Sequence, residues 1–314
     1  MKYTILGLIC LLISLETFAT DQLIVSAAEG DLDSVKRLIE AEHNDVNYQA
    51  KNVLVYWDKD RSQRFLDIGS TALIAAARTK KKEIVEYLID HQAGLDHHDV
   101  VGRTPLVSSL LSGGDETFEI VDLLLDKGAK LNLCIPNTYI GTPLILASGY
   151  FGDSDLLEHL IERGADVDFV CGQNSPLLEA VIAQRGEAVK TLLKHGANTE
   201  ARDKFQATSL IVASQGVAPN VDIVNDLIAA GANVNAQDDK GWTALMKGAY
   251  SSLGSSTLVV MKKLLDAGAS KKIKNQKRNT ATEIAGKIAR SIRGYSRGER
   301  ELARTKVDLL NEYR

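Results

Sequence analysis

No apolar run in this 314-residue chain is long enough to cross a bilayer, which needs roughly twenty such residues. The longest, Ile5 to Leu15, lies at the start. Lysine precedes it and the small residues of Thr17-Phe18-Ala19 follow it, the layout of a secretory signal peptide cut after Ala19. Chemistry-bearing patterns are equally scarce. There is no phosphate-cradling glycine loop, no Gly-x-Ser-x-Gly and no suggestive Cys-His pairing. Asp96-His97-His98-Asp99 has metal-ligand residue types, but successive side chains of an extended loop diverge. No metal, no cofactor and no enzymatic activity are therefore expected. Cysteine is limited to three residues, of which Cys10 falls in the leader. For Cys134 and Cys171 two readings stand side by side: a bridge formed outside the cytosol, or two unrelated small fillers. A bridge would close a loop of about 37 residues and contribute on the order of 3–4 kcal/mol.

Charge is uneven. From residue 270 onward 13 Lys/Arg meet 5 Asp/Glu, a net +8 that leaves −12 for the rest of a chain whose total is −4. Aromatics make up only 5% of the chain, and only Tyr295 lies among the basic residues of the tail. Base stacking has little to work with there, so nucleic acid is not an expected partner.

What the chain does have is a repeat. Thr71-Ala72-Leu73, Thr104-Pro105-Leu106, Thr142-Pro143-Leu144, Ser175-Pro176-Leu177, Thr208-Ser209-Leu210 and Thr243-Ala244-Leu245 open six successive units. Their leucines step by 33, 38, 33, 33 and 35 residues. Each Thr or Ser suits a helix N-cap, and Pro105, Pro143 and Pro176 suit the first helical position. A second helix follows, with an apolar stripe such as Val121, Leu124, Leu125 or Val224, Leu227, Ile228. It stops on Gly128, Gly164, Gly196, Gly231 or Gly268, where glycine accepts the left-handed conformation without steric cost. One such helix pair cannot bury its apolar face alone, so neighbours complete the core.

Gly102-Arg103-Thr104-Pro105-Leu106, Gly241-Trp242-Thr243-Ala244-Leu245 and the connecting segment Gly231-Ala232-Asn233-Val234-Asn235-Ala236 resemble the ankyrin repeat family. The resemblance spans roughly residues 21 to 292. It implies an all-α solenoid of stacked helix pairs with β-hairpin-like loop fingers, whose use is protein binding. Two departures stand out. Where the family often has His after the motif leucine, this chain has Ile74, Val107, Ile145, Leu178, Ile211 and Met246. Gln92 stands where a stop glycine belongs.

The expected organisation is a leader over 1–19 and one ankyrin repeat domain over 20–314. Within it lie a capping repeat at 21–47, a lengthened hairpin at 51–66, six repeats over 69–275 and a C-terminal cap over 280–314. The hairpin accounts for the 49 residues between Ile24 and Leu73, an excess of about sixteen over the period. Tyr56, Trp57, Arg61, Arg64 and Phe65 on it are residue types that dominate interface hot spots. Arg103, Tyr139, Phe205 and Trp242 occupy comparable finger positions and complete the candidate contact set. The chain reads as a monomeric, secreted or periplasmic module that binds a protein partner. Two alternatives are a bacterial effector acting on host proteins and a scaffold protecting a periplasmic or extracellular enzyme.

Overall fold

The computed structural model describes residues 21–57, 63–111, 113–114, 116–136, 141–151, 153–172, 174–216, 219–251, 254–291 and 296–313. The expected leader, Cys10, Arg61, Tyr139 and Tyr295 lie outside the described residues, and of Trp57 only the backbone is described. The chain divides into two compact units, Met1–Pro143 and Leu144–Arg314. Helix pairs build both, because each pair needs a neighbour to cover its apolar side.

In the first unit, α1 covers 21–29 and α2 covers Leu32–Glu40. The hairpin β1 (Leu54–Trp57) and β2 (Gln63–Leu66) follows, then α3 (Ala72–Arg78), α4 (Lys82–Asp90), α5 (Pro105–Leu110) and α6 (Glu116–Asp126). The opening threonines act as caps. Thr71 Oγ1 accepts the Ile74 N–H and Thr104 Oγ1 the Val107 N–H, each at 3.2 Å. Gly128 ends α6 at φ +99°, with its own N–H and that of Ala129 reaching back to Leu125 and Leu124 at 2.9 Å. Gln92 makes the same stop at φ +67°, and Ala93 N–H reaches Leu88 O at 2.9 Å. The hydrogen bonds thus hold a left-handed turn that costs a side-chain-bearing residue roughly 1–2 kcal/mol.

Next in the chain come α7 (Pro143–Leu146) and a π-helical turn, Ala147–Phe151. The second unit continues with α8 (Ser154–Glu162), α9 (Pro176–Ile182), α10 (Gly186–Lys194), α11 (Ser209–Ala213), α12 (Val221–Ala229), α13 (Ala244–Tyr250) and α14 (Ser255–Asp266). Ser175 and Thr243 cap α9 and α13 as expected. Thr208 does not: its hydroxyl is buried without a partner. The six residues at the histidine-deviant position are all buried, so apolar packing occupies that place in every unit.

The expected C-terminal cap is a helical hairpin, α15 (Ala281–Ser291) and α16 (Arg297–Glu312). Ser296 and Glu299 form a reciprocal capping box at the start of α16. Its buried face comprises Ala303, Lys306 and Leu310. A lysine in that face was not anticipated; its Nζ donates to Gly248 O at 3.1 Å and Ser251 O at 2.8 Å. Those carbonyls close the end of α13, where a cation is favoured by the helix dipole. Among the described residues no helix is long and apolar enough to cross a membrane.

Candidate functional site

The fingers between helix pairs are built on one local device. Asp99 Oδ1 accepts the N–H groups of Val101 and Arg103. Asp203 does the same for Phe205 and Ala207, and Asp238 for Lys240 and Trp242. Each carboxylate closes a tight turn whose left-handed residue is Gly102, Gln206 or Gly241. Backbone bonds then join one finger to the next: Val100 N–H to Ile68 O at 2.9 Å, and Asp239 N–H to Phe205 O at 2.9 Å. The tips are therefore ordered before any partner arrives, which lowers the entropy cost of binding.

The slot after the turn glycine is used differently in the two units. In the first, Arg103 Nε bonds Asp99 Oδ2 at 2.6 Å and its guanidinium also pairs with Asp67. Burial pushes the Asp99 carboxyl above its ordinary range, against the opposing effect of the Arg103, Val101 and Gly102 N–H groups. Arg103, a candidate for contact with a partner, is thus engaged within its own unit. In the second unit the cation comes from α13 instead. Lys247 Nζ bonds Asp238 Oδ2 at 2.9 Å and sits 5.4 Å from the Trp242 ring centroid. The slot is released for an indole.

Trp242 is half-buried and meets Tyr250 edge to face, with centroids 5.3 Å apart. Tyr250 remains 59% exposed and Phe205, on the preceding finger, 52%. Ile182 is exposed at the end of α9, and Tyr150 is 71% exposed on the π-helical turn, edge to face with Phe151. Arg185 steadies that turn by donating to Gly149 O and Tyr150 O, each at 3.2 Å. Tyr150, Ile182 and Tyr250 escaped the sequence reading. They fall five or six residues after a motif leucine, and five residues turn a helix about 140° away from that buried side chain. That offset was the available signal.

The lengthened hairpin forms as expected, with Leu54 opposite Leu66, Val55 opposite Phe65 and Tyr56 opposite Arg64. The alternation divides the candidates. Tyr56 is only 5% exposed and, with Leu54 and Leu66, covers core; it is withdrawn from any contact surface. Val55 and Phe65 point outward and are exposed; Arg64, on the Tyr56 side of the hairpin, is exposed as well. The Arg78 guanidinium pins the strand by donating to Phe65 O at 3.1 Å.

Cys134 and Cys171 are both disulfide-bonded. The Asp96–Asp99 segment spends its groups separately: Asp96 accepts the Lys130 N–H, while Asp99 holds its finger. Among the described residues no group of three His, Cys, Asp or Glu side chains could hold a metal ion.

With this geometry in view, a profile described as "Ankyrin repeats (3 copies)" matches residues 23–134 and 144–238. The Caenorhabditis elegans ankyrin repeat and KH domain-containing protein mask-1 is 37% identical over 220 residues, which are 69% of this chain and 8% of that protein. The Schizosaccharomyces pombe glycerophosphocholine phosphodiesterase gde1 is 43% identical over 151 residues, 47% of this chain and 13% of that one. The chain thus spans a small fraction of the length of these relatives. Among solved structures, the human ASB11 ankyrin repeat domain shares 26% identity at a TM-score of 0.57, covering 79% of this chain and 98% of that one. The Bcl-3 ankyrin repeat domain, at 24% identity and a TM-score of 0.59 over 76% of this chain and all of that one, is alike in fold.

Proposed function

The chain belongs to the ankyrin repeat family of protein-interaction modules, and we propose that it is exported and binds a protein partner through the finger tips and first helices of its second unit. The observation that carries this reading is the Phe205, Trp242 and Tyr250 group. Three aromatic side chains, two of them more than half exposed, stand on two finger tips and the end of α13. Aromatic residues of this kind supply large contact area at low conformational cost and dominate hot spots. Lys247, paired with Asp238 and 5.4 Å from the Trp242 ring centroid, holds the indole in place. The interaction is noncatalytic in this reading: Asp99, Asp203 and Asp238 each spend a carboxylate oxygen on closing a finger turn. Export draws support from the leader pattern of residues 1–19 and from disulfide-bonded Cys134 and Cys171, since such bonds persist in oxidising compartments.

The test is retention of partner from the native exported fraction on immobilised protein. The combined variant Phe205→Ala, Trp242→Ala, Tyr250→Ala should lose the partner while keeping the wild-type circular dichroism and thermal midpoint. Undiminished retention by the folded variant would remove this surface from the account. For export, N-terminal sequencing of protein from the exported fraction should begin at Thr20; recovery of intact chain from the cytosol alone would refute it.

A further inference from the structure

Several surface lysines of the repeats pair with a carboxylate of a neighbouring repeat. Lys82 pairs with Glu119 at 2.8 Å, Lys127 with Asp90 at 3.1 Å and Lys194 with Glu158 at 2.8 Å. The C-terminal helical hairpin breaks this habit. From residue 271 to 304, eleven Lys/Arg meet three carboxylates. Two of the three, Glu283 and Glu299, turn to the backbone N–H groups of Thr280 and Ser296 at the helix starts. Arg290, at the end of α15, and Arg297, Arg300 and Arg304, in the first half of α16, are left exposed. Among the described residues their side chains make no ion pair or hydrogen bond.

We infer that this arginine face, distinct from the Trp242 fingers, is a docking surface for an acidic protein segment. The three arginines of α16 advance about 4.5 and 6 Å along the helix. The longer step is near the spacing of alternate side chains on an extended strand, about 6.6 Å. All four are arginine, whose planar fork engages a carboxylate through two parallel hydrogen bonds. The occupant also follows from what the face does not offer. No large apolar side chain is exposed on α15 or α16 among the described residues, so nothing there would enter a bilayer or stack on a base. On α16 the three arginines share one side of the helix, where Glu301 and Asp308 are the neighbouring carboxylates, so like charge still exceeds opposite charge along that side. An incoming run of carboxylates relieves that excess while forming the bonds.

The experiment titrates a fluorescein-labelled peptide of ten glutamates against the full chain at 50 mM salt, followed by anisotropy. Two charge-matched variants are compared, Arg297→Gln with Arg300→Gln and Arg304→Gln, and Lys82→Gln with Lys127→Gln and Lys194→Gln. Both are checked for wild-type circular dichroism and thermal midpoint. The arginine set should weaken peptide binding at least tenfold and the lysine set less than twofold. Equal losses in the two sets, or no binding by the wild type, would overturn the inference. So would tighter binding of a 20-nucleotide single strand or of phosphatidylglycerol vesicles, which would assign the face to polyphosphate. Partner retention through Trp242 is measured on the same variants. Its loss with peptide binding intact counts against the earlier reading alone.

Discussion

Lys306 is the sharpest test of how the C-terminal hairpin is held. Its side chain is 2% exposed and bonded to two carbonyl oxygens, and among the described residues no carboxylate neutralises it. Burial lowers its pKa from 10.5 to about 8. The folded chain therefore releases this proton at lower pH than the unfolded chain does. Between those two values the unfolded state binds more protons, and stability must rise with pH. The group is a burden below pH 8 that is relieved toward pH 10.5. Worked through the linkage relation, the gain from pH 7 to pH 10 is about 2–3 kcal/mol. Other groups titrate in the same range, so the quantity to read is the difference between wild type and Lys306→Met. Urea unfolding at pH 7, 8, 9 and 10 should show the wild type gaining on the variant steadily above pH 8. At pH 7 the variant sheds the charge penalty but leaves Gly248 O and Ser251 O without their donor. Those effects oppose one another, and the neutral-pH difference alone is not diagnostic. Parallel pH profiles for the two proteins would refute the reasoning.

Thr71→Ala should cost about 1 kcal/mol by removing a formed cap, whereas Thr208→Ala, at a buried hydroxyl that caps nothing, should cost less, because removal of an unpaired polar group offsets the lost methyl packing; urea midpoints compare the two. Gln92→Gly should raise stability by about 1 kcal/mol, because the left-handed turn is already made and only its steric cost is removed. Arg103→Ala leaves Asp99 buried without its cation and should lose about 3 kcal/mol near pH 7. Part of that loss should return as pH falls through the raised Asp99 pKa, where the neutral carboxyl is the folded-state preference.

The repeat was legible because its determinants are local. Thr71 finds its cap partner three residues away and Gly128 its helix carbonyls within five, so spacing alone exposes them. Even Gln92, which lacks the glycine signature, obeys the hydrogen-bond pattern once both ends of its turn are seen. The site was less legible because its parts come from different elements. Whether the slot after a turn glycine faces outward depends on which cation reaches the finger aspartate. Arg103 does so from within its own finger, while Lys247 reaches Asp238 from α13 and frees Trp242. No spacing rule separates those cases. Tyr56 was misplaced for a different reason: residue type suggested a hot spot, but strand alternation put Tyr56 on the inner side with Leu54 and Leu66. Lys306 carries no local signal of burial, because its carbonyl partners Gly248 and Ser251 lie more than fifty residues away in the chain.

The central claim, a protein-binding face on the second unit, is tested most directly by photocrosslinking. A benzoylphenylalanine placed at Tyr250, and separately at Glu187 on the exposed part of α10 as a control, would be irradiated in the native exported fraction. The account predicts one discrete protein adduct from position 250 and none from 187. Adducts from 187 with none from 250 would contradict it.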